Sequence, residues 1–174
     1  MWRSARRQPT ADEGKLGSDT VNQEPDLDEL YKEIILDHYR RPRNKGDLPA
    51  ADVAAEGVNP LCGDEIRVQL AFAGDRIDGV GFGGKGCSIS QSAASLMTEA
   101  IKDRTAADAE RMKVEFEAMV VDGATPAEEL GDLEALQGVA KFHVRVKCAL
   151  LPWKVLGEAL AARHGHGPRT VTTE

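Results

Sequence analysis

The chain is expected to fold as an α+β protein in which a small three-stranded antiparallel sheet packs against several helices. Three observations predict this. Residues 66–72 alternate, with Ile66, Val68, Leu70 and Phe72 on one side and Arg67, Gln69 and Ala71 on the other, the period of a half-buried strand. The turn Ala73-Gly74-Asp75-Arg76 separates them from a second run, Ile77 to Gly84, which reads as the returning strand of a meander. Before and after this pair the apolar residues recur at helical spacing.

Taken in order, residues 1–25 are polar, poor in large apolar residues and without period, and are expected to form a disordered tail. Leu27, Leu30, Tyr31, Ile34, Ile35 and His38 then mark a helix with Asp26 placed to cap it. The helix stops in RRPRNKG, at Pro42 and Gly46. His38 stands alone near the apolar stripe and reads as a structural histidine, because a metal needs clustered ligands. Residues 51–60 read as a weakly patterned first strand. From Ser88, the residues Ile89, Ala93, Leu96, Met97, Ala100 and Ile101 share a helix face.

A further helix opens at Thr105 and closes at Asp122-Gly123, with Ala109, Met112, Phe116 and Met119 inward. A looser stretch carries Leu130, Leu133 and Leu136. The last helix is expected from near Cys148 to Ala162, because Pro152 suits a first helical turn, where its missing N–H has no partner to lose. Residues 164–174 are expected to be a flexible tail, in which His164 and His166 are too few to make a metal site. One domain, 26–163, is therefore expected between two tails.

Length and composition bound the function. A chain of 174 residues, 41% hydrophobic and 29% charged, supports one buried core. A net charge of −7 argues against general attraction to nucleic acid or to an anionic membrane. No apolar run reaches bilayer length. The N-terminal MWRSARRQPT has basic residues without an apolar segment after them, so it is no secretory signal, and Asp12, Glu13 and Asp19 argue against an organelle address. A cytoplasmic protein is expected.

The stretch GVGFGGKGCSISQS (79–92) satisfies two nucleotide-binding patterns. A phosphate loop needs a hydroxyl after Lys85, where this chain has Gly86. A dinucleotide fingerprint needs a βαβ unit, whereas here a hairpin precedes and helices follow. Both readings fail on context, and an NTPase is set aside. The glycines instead let backbone pass close to a metal or partner and leave Cys87 accessible.

Cys62, Cys87 and Cys148 are an odd set of thiols, which speaks against a disulfide framework. Each falls at a junction: Cys62 in a turn, Cys87 at a strand-to-helix step, Cys148 at the expected start of the last helix. Helix N-termini favour thiolate. Asp64 stands two residues from Cys62 across Gly63, whose backbone freedom permits both side chains to aim at one point. Three thiolates and a carboxylate suit tetrahedral zinc or one end of an iron–sulfur cluster. Lys85, Arg145 and Lys147 are available to offset the surplus negative charge. The residues alone leave this reading beside a plainer one, in which three small buried side chains fill space.

Four segments carry a resemblance: LYKEIILDHYRRPRNKG (30–46), NPLCGDEI (59–66), GFGGKGCSISQSAASLM (81–97) and RVKCALLPWKVL (145–156). They resemble the iron–sulfur cluster assembly proteins of the SufU/IscU/NifU N-terminal family, over roughly residues 27–162. The resemblance implies the SufE/NifU-like fold, with metal ligands at Cys62, Asp64, Cys87 and Cys148. It also implies that Cys62 accepts sulfur. Lys147 stands where IscU-type scaffolds have a histidine, and the Cys87–Cys148 interval has the SufU length. Arg145 matches an arginine that lies near the metal in SufU, and is taken with Cys62 as a catalytic candidate. Pro152 departs from the helix-compatible residue usual in SufU-like sequences. The implied activity is zinc-dependent acceptance of persulfide sulfur from a SufS-like cysteine desulfurase, for onward delivery to iron–sulfur assembly or acceptor proteins. The implied alternative is a scaffold on which a cluster is assembled and passed on.

Overall fold

The computed structural model describes residues 27–165 and 170–173. The 1–25 tail, the Asp26 cap and His166 lie outside the described residues.

The first helix, α1 (Leu27–Arg40), carries Asp28 and Glu29 in its first turn and His38 and Arg40 in its last, charges that complement the helix dipole. The RRPRNKG segment then docks on the sheet edge: Gly46 N–H donates to the Phe82 carbonyl at 2.8 Å, and Phe82 N–H to the Asn44 carbonyl at 2.9 Å. Three strands follow, β1 (Val53–Asn59), β2 (Asp64–Ala73) and β3 (Arg76–Lys85), paired antiparallel as expected. Their inward residues, among them Ile66, Val68, Leu70, Ile77, Val80 and Phe82, are buried in the core.

The sheet differs from expectation in having a fourth strand. β4 (Thr170–Thr172) falls in the 164–174 segment expected to be a tail and pairs parallel with β1, giving the order β3-β2-β1-β4. A three-residue strand has too few side chains to show a period, and its pairing is tertiary: the Thr173 N–H reaches the Val58 carbonyl at 3.0 Å.

Helices cover the inner face. α2 (Ser88–Ile101) is N-capped by Cys87. α3 (Ala106–Asp122) has a capping box between Thr105 and Asp108 and ends on Gly123 in the left-handed conformation, as a helix C-terminus favours. The Leu130–Leu136 stretch forms a 3-10 segment, Glu128–Lys141, broken at Gly131. α4 (His143–Ala162) packs Trp153 against Phe116 of α3, with ring centroids 5.1 Å apart.

α4 corrects a second expectation. It starts five residues before Cys148, so Cys148 and Pro152 are both interior. Arg145 and Val146 N–H both bond the Phe142 carbonyl, which sets the helix start upstream. Pro152 therefore removes one internal bond, the one its N–H would have made to the Cys148 carbonyl four residues back. Tertiary burial of this helix overrides the local penalty: Ala149, Leu151, Trp153 and Val155 are all core residues. Among the described residues no helix is long and apolar enough to cross a membrane.

Candidate metal centre

Three separate parts of the fold meet at one end of the sheet. The β1–β2 turn is closed by the Gly63 N–H bonding the Asn59 carbonyl at 2.9 Å, with Gly63 at φ +69°. A side chain at that angle would be strained, so glycine gives a turn that sets Cys62 beside the first residue of β2, Asp64. The end of β3 brings Gly86 and Cys87 alongside. A Cβ on Gly86 would collide with Asp64 Oδ1 and Ser90 Oγ. The close approach expected at a metal or partner is here, at Gly86, one to side chains of the same fold. The rest of the run, from Gly79 to Gly84, is strand and forms no phosphate loop.

The donors converge unequally. One ligand atom each of Cys62, Asp64 and Cys148 lies within 4.8 Å of the others, with the two sulfurs 3.3 Å apart. Cys87 joins through the carboxylate: its Sγ is 4.0 Å from Asp64 Oδ2, and its backbone N–H bonds Asp64 Oδ1 at 2.9 Å. Cys62 and Cys87 are half-buried, Cys148 fully buried. Burial, reinforced by contact with Cys62 and Asp64, pushes the Cys148 thiol well above the usual cysteine range. Such a sulfur becomes an anion readily only beside a positive charge.

Arg145 faces this cluster. The negative field of Cys87 first, then hydrogen bonding to Cys87 and the fields of Cys148 and Cys62, hold its guanidinium above the ordinary value. Lys85, expected to share that role, pairs instead with Glu65 at 3.6 Å. Cys148 corrects the junction rule, since it sits inside α4. His38 is not among the clustered donors; its Nδ1 bonds Ser95 Oγ at 2.7 Å. His164 likewise stands apart from them.

Two residues escaped the sequence reading. Asn59 is buried, and its amide faces both Asp64 Oδ2 and Cys148 Sγ. Ser90 donates its N–H to Cys87 Sγ at 3.5 Å. Each left a signal: Asn59-Pro60 opens a turn, and Ser90 is the third helix residue after an N-cap, the usual partner of a capping side chain.

The donor set fits a tetrahedral cation. Sulfurs about 2.3 Å from a tetrahedral zinc are about 3.8 Å from one another, and the Cys62 and Cys148 sulfurs, 3.3 Å apart, lie somewhat inside that value.

Comparison with known proteins follows the same lines. A family model described as the NifU-like N-terminal domain matches residues 30–149. The zinc-dependent sulfurtransferase SufU of Bacillus subtilis is 44% identical over 140 residues, 80% of this chain and 95% of that protein. The iron–sulfur cluster assembly scaffold protein IscU of Streptococcus pyogenes is 39% identical over 135 residues, 77% of this chain and 84% of its own. The crystal structure of a putative iron–sulfur cluster assembly scaffold protein for the SUF system, from Fervidobacterium islandicum, superposes with a TM-score of 0.70 at 37% identity. The match covers 76% of this chain and 97% of that one.

Proposed function

This chain belongs to the NifU-like N-terminal domain family, and on that premise we propose that it accepts sulfur at Cys62 from the persulfide of a cysteine desulfurase. Asp64, Cys87 and Cys148, with Cys62, would hold a zinc ion. The observation that carries this reading is the convergence of Cys62, Asp64 and Cys148 within 4.8 Å from two distant parts of the chain. Zinc bound there keeps sulfur deprotonated at neutral pH and changes no redox state.

The chain's own residues supply the rest. Cys62 sits on a turn beside Leu61, which is 67% exposed, so a partner can reach it, whereas Cys148 is enclosed. The Cys62 thiolate attacks the outer sulfur of the donor persulfide. The donor S–S bond breaks, the donor cysteine leaves as thiolate, and Cys62 keeps the outer sulfur as its own persulfide. No electrons are gained or lost in the exchange. Arg145 stabilises negative charge on the sulfurs throughout, consistent with the fields of Cys87, Cys148 and Cys62 that act on its guanidinium. Downstream iron–sulfur assembly proteins would take the sulfur on.

A second reading, a scaffold for cluster assembly, is supported by the similarity to the Streptococcus IscU and to the Fervidobacterium scaffold protein. One experiment separates the two. Protein isolated without oxygen is expected to be colourless and to carry about one zinc per chain, as a single four-ligand site requires. Stoichiometric iron with sulfide-to-iron absorption bands supports the scaffold instead. Cys62→Ala is expected to abolish stimulation of a cysteine desulfurase; retained stimulation refutes Cys62 as the acceptor.

A further inference from the structure

Asn59 holds the donors that the proposed site needs to keep still. It ends β1, directly opposite Asp64 in the ladder, and is 0% exposed. Its Oδ1 accepts the Leu61 N–H at 3.2 Å, which decides the orientation of the amide. Reversed, the side chain would turn an N–H against an N–H and its oxygen toward a carboxylate and a sulfur. With the oxygen so occupied, Nδ2 faces Cys148 Sγ at 3.6 Å and Asp64 Oδ2 at 3.5 Å. The first distance is ordinary for a sulfur acceptor; the second is a long, weak bond. An amide suits this place because it donates twice without bringing charge of its own.

The four donors are restrained to different degrees. Asp64 accepts from the Cys87 backbone and from Asn59. Cys148 accepts from Asn59. Cys87 accepts from Ser90. Cys62 Sγ meets only another sulfur, that of Cys148, and no backbone or amide N–H bonds it among the described residues.

The geometry points to Asn59 as a positioning residue that pins Asp64 and Cys148 as stationary donors and so leaves Cys62 as the one that detaches. This rests on the reading of the four donors as a zinc site. Loss of a second partner that orients a metal ligand typically weakens binding by about 10–100-fold, and that is the effect expected here.

The test compares full-length, zinc-loaded wild type with Asn59→Leu and Asn59→Ser. Leu keeps the volume and removes every polar contact. Ser can still accept from the Leu61 N–H in a serine turn but keeps a single short donor. Two quantities are read: the rate of zinc release to a chromogenic chelator, and the order in which the three cysteines take up an alkylating agent, by peptide mass. Wild type is expected to alkylate first at Cys62, with Cys87 and Cys148 following zinc loss. Asn59→Leu is expected to release zinc about 10–100-fold faster and to expose Cys148 together with Cys62, and Asn59→Ser to fall between. A Ser variant that matches wild type shows that Asn59 serves only the turn and overturns the proposal. So does an unchanged release rate, or faster release with Cys148 still protected, in Asn59→Leu. Wild type that takes up no zinc overturns the metal reading and the proposal together, which the other outcomes do not.

Discussion

Two buried polar clusters lie along α2, eight residues apart at Cys87 and Ser95 and so about 12 Å along its axis. They are built on opposite principles. At Ser95 the hydroxyl meets His38 Nδ1 at 2.7 Å and accepts the Arg43 N–H at 2.8 Å. Arg43 in turn binds Asp37 at 2.6 Å and lies 3.7 Å from Glu99, and Asn44 donates to Thr98 at 3.0 Å. Donors meet acceptors and the charges alternate in sign. At Cys87 the groups drawn together are three thiols and a carboxylate, each an acid whose charged form is negative. Their N–H donors come from Asn59, Ser90 and the Cys87 backbone, with Arg145 as the facing cation. A closed network is a joint between elements; an anionic cluster is stable only with a cation. The contrast is a physical ground for proposing the thiol end as the site of chemistry and the Ser95 end as a joint.

Stripping the proposed zinc is the largest way to break that contrast. A ligand present at about 1,000 times its dissociation constant contributes about 4.1 kcal/mol. At about 2–4 °C per kcal/mol for a chain of this size, chelation is expected to lower the melting midpoint by on the order of 10 °C, read by calorimetry or dye-based melting. An unchanged midpoint would place the thiol end with the joints.

His38→Leu probes the other cluster. It removes a buried hydrogen bond and leaves the Ser95 hydroxyl to Arg43, at a cost of about 1–3 kcal/mol, or several degrees in the midpoint. The loss is expected to be equal in zinc-loaded and chelated protein, because the two clusters share no partner and independent sites add. Zinc content is expected to stay at the wild-type value. A variant that also loses zinc would show that the joint and the site are coupled through α2.

The contrast also explains what could be read in advance. α2 was legible to the residue because Cys87, Ser88 and the Ile89–Ile101 stripe place cap and apolar face in consistent register. β2 was legible from its period, β3 from the turn before it, and the nearness of Cys62 to Asp64 from the glycine between them. What escaped was set by distant contacts. The pairing of β4 with β1, the upstream start of α4 and the burial of Cys148 depend on packing that no local pattern records. Asn59 escaped for a related reason. A buried amide next to a proline has the local signature of a turn, and only the arrival of Cys148 from 89 residues along the chain gives its N–H groups a second use.

The smallest expected effect is the most specific to the joint. Burial first, then the field of Arg43, lowers the His38 pKa from its ordinary value, against the opposing fields of Glu99, Asp37 and Asp132. The fold therefore holds His38 neutral, while the unfolded chain takes up its proton near the ordinary histidine value of about 6.5. Between those two values the unfolded state binds more protons, so stability rises with pH. The contribution is fully present above about pH 6.5 and is lost as pH falls toward the lower value that His38 has in the fold. Wild type minus His38→Leu is thus expected to show a stability difference that shrinks as pH is lowered from neutral. Denaturant melts of both proteins, each loaded and chelated, measure it, and taking the difference within each metal state cancels the protonation of the thiols. A difference that stays flat across that window would mean that His38 carries the same charge folded and unfolded. The Ser95 cluster would then hold a solvated histidine, and the distinction between joint and site would have to rest on the sulfurs alone.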